Sequence, residues 1–258
     1  MKRFLKCALL TFVVIFTVSS TCQSETKETF DYLLYDDLLK QYVWDGQVDY
    51  ISWKKNDLVT FENYLFSLRN ISLEGFSDNE RKAFWINAYN AFTLYGVLQR
   101  IPSSAFFAKL FSVQVVPGFF SRIVYKVAGQ DLTLDNIEHD KLRGEFGDAR
   151  IHFAIVCASG SCPKLQSRVF FAKNLDERLD EATRLFLADE TRNKIDKNRD
   201  VLNLSSLFSW YEGDFVEDSG SILEYVKKYL SSEDADYVSK NKVKIKYLYY
   251  DWLVNIKK

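Results

Sequence analysis

The spacing of apolar residues along the chain predicts several amphipathic helices and one fully buried helix. Apolar positions recur at helical spacing in four segments, 30–42, 57–68, 174–189 and 221–230. Between residues 80 and 99, apolar residues cover almost every face, which is typical of a helix at the centre of a core. Ser77 and Glu80 have the spacing of a capping box, so we expect this central helix to begin there.

Short extended segments separated by turn residues predict β-hairpins, with turns near 45–46, 127–130 and 197–200. Residues 151–156 are apolar apart from His152 and rich in β-branched side chains, which predicts a buried strand, and a closing strand is expected over 243–253. Helices and hairpins alternate without a regular βαβ rhythm. The pattern therefore predicts an α+β fold, a single globular domain whose central helix packs on a small, mainly antiparallel sheet.

The N-terminus has the pattern of a secretory signal peptide. Lys2, Arg3 and Lys6 form a basic segment, residues 7–18 are apolar, and small residues follow. The apolar segment is too short for a membrane span and leads into polar sequence. We therefore predict that residues 1–24 are a signal peptide and that the mature chain has no transmembrane helix.

The mature chain is predicted to be one domain over 25–258, with its core over about 60–255. A signal peptide implies a periplasmic or secreted protein. Lipid attachment at Cys22 is the less favoured alternative, because Thr21 precedes it where glycine, alanine or serine is usual.

Composition excludes some classes of function. The formal net charge is −1 with both signs interspersed, so no basic surface for nucleic acid is expected. Glu138, His139, His152 and a cysteine could supply the ligand atoms that zinc accepts, but no HExxH or CxxC spacing is present. We predict no metal and no cofactor. A small-molecule or peptide ligand is the expected partner, and the oligomeric state is left open.

Two cysteines flank a loop of small residues directly after the predicted 151–156 strand. Cys157 and Cys162 are the only thiols that remain once the signal peptide is removed. The four residues between them permit a disulfide. A cysteine nucleophile would instead need a base, and a third polar group to orient that base.

The chain contains two histidines that could supply the base, His139 and His152. In a regular strand, residues 152 and 157 point to opposite faces, which argues against a direct pair between His152 and Cys157. The remaining pairs are Cys157 with His139, or Cys162 with either histidine.

Three polar residues are candidates for orienting an imidazole. Asn87 and Asn90 lie three residues apart on the central helix, and Glu138 precedes a histidine. Each of these residues, and His152 as well, also has a purely structural interpretation. The asparagines could satisfy backbone groups, Glu138 could complete a second capping box with Asp135, and His152 could be a core residue.

Six short motifs follow one another along the chain. They are FWINAYNA at 84–91, LDNIEH at 134–139, HFAIVC at 152–157, SCP at 161–163, FSWY at 208–211 before Asp214, and YDW at 250–252. In this order they resemble the domain of unknown function 547 family. The resemblance implies an exported bacterial protein, or a relative of plant proteins with the same domain, and implies no settled activity. The family's shared positions correspond here to Asn87, Asn90, Glu138, His139, His152, Cys157, Cys162 and Pro163.

Two functions from different classes are compatible with these residues, so whether the protein is an enzyme is left open. The first is a thiol hydrolase or acyltransferase, similar to papain-like or transglutaminase-like enzymes, that acts on amide or peptide bonds. Cys157, or as second choice Cys162, would attack the carbonyl, and backbone N–H groups of 158–162 could stabilise the oxyanion. The second is a non-catalytic binding or scaffold module in which Cys157 and Cys162 form a disulfide. One open pocket that gathers these residues would favour the first.

Overall fold

Helices provide most of the secondary structure in residues 30–257, which the computed structural model describes. The α-helices are α1 (Leu33–Tyr42), α2 (Tyr50–Asn56), α3 (Leu58–Ser67), α4 (Asp78–Arg100), α5 (Ala105–Ala108), α6 (Leu134–Asn136), α7 (Gly144–Phe146), α8 (Leu175–Leu187), α9 (Leu207–Trp210), α10 (Glu212–Ser219), α11 (Ile222–Lys227) and α12 (Ser232–Lys240). The strands are β1 (Val43–Trp44), β2 (Gln47–Val48), β3 (Tyr125–Val127), β4 (Gln130–Leu132), β5 (Lys194–Asp196), β6 (Val201–Ser205) and β7 (Lys244–Leu248). A π-helix, Ile137–Arg143, joins α6 to α7, and 3-10 helices occupy Val113–Val115, Ala149–Phe153 and Ala172–Asn174. The predicted signal peptide lies outside the described residues.

Helix α4 lies at the centre of the larger hydrophobic core. The Ser77 side chain accepts a hydrogen bond from the Glu80 N–H, and the Glu80 carboxylate accepts one from the Ser77 N–H. The predicted capping box is therefore confirmed. Phe84, Trp85 and most other side chains between residues 83 and 98 are buried, so the predicted central helix is confirmed as well.

Gly96 allows α4 to approach the loop that carries Phe119. A Cβ at residue 96 would lie 2.8 Å from Cζ of Phe119 and 3.0 Å from the Tyr125 hydroxyl oxygen. These distances are too short for any residue with a side chain, so the close approach requires glycine. Phe119 is part of the cavity wall described below, so α4 determines where that wall lies.

Three small sheets supply the β part of the fold. β1 pairs with β2, and β3 with β4, in antiparallel hairpins. In the third sheet β5 and β6 are antiparallel, whereas β6 and β7 are parallel, with Val201 opposite Lys244. All three predicted hairpins are present, and the mixed α+β class of a single globular domain is confirmed. The closing strand, predicted over 243–253, is shorter than expected and covers only Lys244–Leu248.

A second, smaller hydrophobic core lies among α8–α11 and β6, where Phe153, Phe208, Phe215 and Tyr225 pack together. Ile151 belongs to the larger core around α4, and Phe153 belongs to the smaller one. The residue between them, His152, is therefore held at the boundary between the two cores.

The strand predicted over 151–156 is wrong. Residues Ala149–Phe153 form a 3-10 helix whose N-cap is Asp148, and the Asp148 side chain accepts a hydrogen bond from the Arg150 N–H. The following backbone bonds to a side chain instead of a neighbouring strand, because Asn90 bridges the Ala154 carbonyl and the Val156 N–H. Periodicity cannot distinguish a short apolar strand from a buried helical turn. The alternation argument against a His152–Cys157 pair is lost with the strand.

The second predicted capping box is also wrong, since the residues that cap α6 are Thr133 and Asn136 and not Asp135 and Glu138. This shift of two residues leaves Glu138 free to face the protein interior. Several helices were not predicted, among them α2 and α12, although the side chain of Asp49 caps the first of these two. None of the helices within residues 30–257 is both long enough and apolar enough to cross a bilayer.

Candidate functional site

An open cavity of about 460 Å³ lies between the π-helix, the cysteine loop and the C-terminal segment. Five of the seven predicted site residues line it: Glu138, His139, His152, Cys157 and Cys162. Aromatic side chains form much of the remaining wall, namely Tyr89, Phe119, Phe120, Trp210, Tyr211, Tyr250 and Trp252. The cavity thus gathers both histidines and both cysteines of residues 30–257.

Cys157 is the half-buried thiol of the cavity. Its Sγ lies 3.1 Å from the Ser159 hydroxyl oxygen and 3.2 Å from the Tyr250 hydroxyl oxygen. Burial alone would raise the pKa of Cys157, but hydrogen bonds from Cys162, Ser159 and Tyr250 outweigh it and lower the pKa to about 7. A thiolate at neutral pH is the form of cysteine that acts as a nucleophile.

Cys162 has the opposite character, since it is buried and its Sγ accepts a hydrogen bond from the Cys157 N–H at 2.9 Å. Burial, and then the neighbouring Cys157, raise the pKa of Cys162 well above its ordinary value. Both cysteines are free, so the disulfide of the scaffold alternative is not formed. Of the two thiols, Cys157 is the one suited to nucleophilic attack.

The loop after Cys157 is held by the C-terminal segment. Ala158 adopts a left-handed backbone with φ of 60°, a conformation that is uncommon for a residue with a side chain. The N–H groups of Gly160, Ser161 and Cys162 all bond to backbone carbonyls. The predicted oxyanion role of the 158–162 turn is therefore wrong for these three amides.

His152 forms a pair with Asp214. Its Nε2 lies 2.7 Å from Asp214 Oδ2, and its ring stacks on Tyr211 with the centroids 3.8 Å apart. An ionised carboxylate only accepts hydrogen bonds, so Nε2 carries the hydrogen, and Nδ1 is the nitrogen left to take up a proton. Burial would raise the pKa of Asp214, but hydrogen bonds from His152 and Arg143 lower it well below its ordinary value.

Arg143 connects the two histidines. It donates two hydrogen bonds to Asp214, from Nε at 2.7 Å and Nη2 at 2.6 Å, and its Nη1 lies 2.7 Å from His139 Nδ1. Arginine is always protonated, so Nδ1 of His139 accepts, and its hydrogen is placed on Nε2. His139 and Arg143 lie on the π-helix, a rare element that is frequent at functional sites.

Glu138 is a buried carboxylate in the cavity wall. Its Oε2 accepts a hydrogen bond from the Tyr89 hydroxyl at 3.2 Å. Burial, and then the nearby Glu138, raise the pKa of Tyr211 well above its ordinary value, so both tyrosines beside this carboxylate remain protonated donors. Glu138 is therefore bonded by tyrosines, and the group that orients His152 is Asp214.

Asn87 and Asn90 do not line the cavity, although Asn90 supports its wall at Val156. The Asn87 amide donates to the Phe170 carbonyl at 2.8 Å and accepts from the Phe170 N–H at 3.0 Å. Asn90 bridges Ala154 and Val156, directly before Cys157. Both amides are therefore bonded to backbone, which is the structural alternative and not a contact with an imidazole.

Replacing Asn87 with alanine tests this structural role. We expect Asn87→Ala to lower the free energy of unfolding by about 2 to 4 kcal/mol, because it leaves two buried backbone groups of Phe170 unpaired. Urea unfolding measures the effect, with Asn63→Ala on the exposed side of α3 as the control. Alkylation of Cys157 in the folded variant should keep its pH dependence. A variant as stable as the parent but altered in Cys157 reactivity would show that Asn87 acts on the chemistry.

Several residues of the site were not among the predicted candidates. Tyr211 and Tyr250 belong to the C-terminal motifs quoted for the family resemblance, and Asp214 lies three residues after the first of these motifs. The motifs are the sequence signal by which these three residues could have been found. The sequence signal for Arg143 was weaker and consisted of its position four residues after His139. Within residues 30–257, no three His, Cys, Asp or Glu side chains are grouped closely enough to hold a metal ion.

The comparisons with known proteins support the family and name no activity. The family model described as "Protein of unknown function, DUF547" matches residues 73–187. The matched segment contains all seven predicted site residues, whereas Asp214 and Tyr250 lie beyond it. Searches of curated proteins and of solved structures found no match to the chain.

Proposed function

We propose that the protein is a thiol hydrolase or acyltransferase that acts on amide or peptide bonds, with Cys157 as the nucleophile. The observation that carries the proposal is a thiol held near neutral pKa in the same open cavity as a His–Asp pair. An activated nucleophile together with an oriented acid–base group is what acyl transfer requires. The free state of both cysteines makes the scaffold alternative less well supported.

In this mechanism the Cys157 thiolate attacks the carbonyl carbon of the substrate. His152, protonated and held by Asp214, gives a proton to the leaving amine as the carbon–nitrogen bond breaks. A thioester on Cys157 and a free amine result. Water, or an acceptor amine, then attacks the thioester and loses its proton to His152, which releases the acyl product and restores the thiolate.

The hydroxyl donors around Cys157 also suit the intermediate. Ser159 and Tyr250 hold the thiolate charge before attack. When Sγ bonds to the carbonyl carbon, the negative charge moves from sulfur to the adjacent oxygen. The same two donors are then beside the new charge, together with the backbone N–H of Ser159, which also bonds to Cys157.

An acyl-enzyme trap tests the proposal. The protein is incubated with activated esters, thioesters and peptide amides, and the adduct is located by mass spectrometry after digestion. We expect acylation at Cys157, and a fall in turnover of at least about 10³-fold in Cys157→Ser. The matched control, Cys162→Ser, should still be acylated at Cys157. Acylation of Cys162, or turnover that survives Cys157→Ser, would contradict the mechanism.

A further inference from the structure

Glu138 places an unpaired carboxylate oxygen in the cavity wall. The residue is only 5% exposed, and the tyrosine bonds of its carboxylate leave Oε1 without a hydrogen-bond partner within residues 30–257. A buried polar atom without a partner costs free energy, and such atoms are rare in native proteins. The proposed mechanism gives Glu138 no step, so Oε1 is free to accept a hydrogen bond from a ligand.

The nearby cation, Arg143, is already committed to other partners. Its charge is close enough to interact with that of Glu138. Its hydrogen bonds, however, go to Asp214 and to His139. Arg143 therefore offsets the charge of Asp214 and leaves the Glu138 carboxylate without an ionic partner of its own.

A second carboxylate, that of Asp135, lines the same cavity, and none of the described residues that line it is Lys or Arg. Burial raises the pKa of Asp135, His139 opposes this rise, and Glu138 adds to it. The two carboxylates are therefore close enough to repel each other, and a positive charge beside them would relieve the repulsion. A cleft lined with one sign of charge concentrates ligands of the opposite sign.

Three aromatic rings lie together in the cavity wall. The ring centroid of Trp210 is 4.7 Å from that of Tyr250 and 5.5 Å from that of Trp252, and Trp210 remains 49% exposed. The face of an aromatic ring attracts ammonium groups and also packs against apolar carbon. This wall thus suits a side chain with an apolar stem and a cationic head.

We propose that the cavity binds substrates that carry a primary ammonium group, with Oε1 of Glu138 accepting a hydrogen bond from that group and Asp135 adding its charge. A side chain of the lysine type has the required stem and head. The inference names the substrate class of the thiol hydrolase or acyltransferase and rests on that proposed function for its reaction. A metal ion suits the cavity less well, because within residues 30–257 no three His, Cys, Asp or Glu side chains are grouped closely enough.

Charged thiol reagents measure this preference without any turnover. Aminoethyl methanethiosulfonate is cationic, and sulfonatoethyl methanethiosulfonate is an anionic reagent of similar size. With either reagent the thiolate attacks the thiol sulfur, methanesulfinate leaves, and a mixed disulfide forms. Modification of Cys157 is followed by mass spectrometry after digestion. Compared with 2-mercaptoethanol, the ratio of the cationic to the anionic rate constant should be about 10- to 100-fold higher at Cys157.

Two variants make the test specific. Glu138→Gln keeps the shape of the side chain and can still accept from Tyr89, so it should fold and lower the ratio by about threefold or more. Asp135→Asn, at a half-buried position, should lower the ratio as well and gives a second reading if the first variant is unstable. Glu217→Gln makes the same change on the exposed side of α10 and should keep the parental ratio. A parental ratio equal to that of 2-mercaptoethanol, or an unchanged ratio in both cavity variants, overturns the proposal.

A ligand titration gives a reading that needs no reactive thiol. Trp210 and Trp252 line the cavity, so their fluorescence should change when a ligand binds. Nα-acetyl-lysine methylamide should bind about tenfold more tightly than Nα-acetyl-norleucine methylamide, which lacks the ammonium group, and Glu138→Gln should remove most of the difference. Equal binding of the two compounds, or binding of neither, contradicts the cation site.

The outcomes separate this inference from the proposed reaction. A charge preference without acylation of Cys157 would support the cation site and contradict the thiol hydrolase or acyltransferase. Acylation of Cys157 without a charge preference would do the reverse. Where both are found, faster acylation by a lysyl than by a norleucyl thioester places the ammonium group on the acyl donor, and faster release of an uncharged acyl-enzyme by lysine amides places it on the acceptor.

Discussion

Alkylation of the native protein by iodoacetamide should modify Cys157 and leave Cys162 unmodified. The pKa of Cys157 is lowered to about 7, whereas burial raises that of Cys162. The alkylation rate of Cys157 should therefore reach half of its plateau near pH 7. At about pH 6 the rate, as a fraction of its plateau, should be roughly 30-fold higher than for an ordinary thiol with a pKa of about 8.5, because alkylation proceeds through the thiolate.

The donors to Cys157 supply the control for this experiment. Tyr250→Phe removes a hydroxyl that stabilises the thiolate, so the midpoint of the rate profile should move to higher pH. Tyr249→Phe removes the hydroxyl of the adjacent, exposed tyrosine and should leave the midpoint unchanged. A midpoint of about 8.5 in the parent protein, or faster modification of Cys162, would contradict the assignment of the nucleophile. Resistance of both thiols until a reductant is added would favour the scaffold function.

Asp214→Asn should lower turnover of the ester and amide substrates by about 10²- to 10⁴-fold. The carboxylate of Asp214 accepts from Nε2 of His152 and so leaves Nδ1 as the nitrogen that gives up and takes back the proton. An amide can instead present its N–H to Nε2, which favours the tautomer with the hydrogen on Nδ1. The loss of activity should appear mainly as a lower kcat, because the substitution affects proton transfer and not the cavity wall.

Two further measurements separate this effect from simple disruption. Iodoacetamide alkylation of Cys157 needs no proton transfer from His152, so Asp214→Asn should change it far less than it changes turnover. Glu217→Gln, an isosteric change on the exposed side of α10, is the control for the loss of one charge on that helix. Equal loss of turnover in both variants, or none in Asp214→Asn, would remove Asp214 from the mechanism.

The clustering of candidate residues was largely predictable, but their pairing was not. The central helix, the hairpins and the cysteine loop all follow from local pattern. The structure brings Glu138, His139, His152, Cys157 and Cys162 to one cavity. The argument for the predicted pairing assumed a strand, and no strand forms because a side chain of α4, Asn90, satisfies the backbone before Cys157.

The sequence by itself determined the α+β class, the central helix with its cap, and the list of residues able to do chemistry, because apolar periodicity, capping and residue type are local properties. Only the tertiary structure decided which groups act on one another. Asp214 is 62 residues from His152, and Tyr250 is 93 from Cys157. The pKa of each group depends on burial and on hydrogen bonds of this long-range kind, and no local pattern records them.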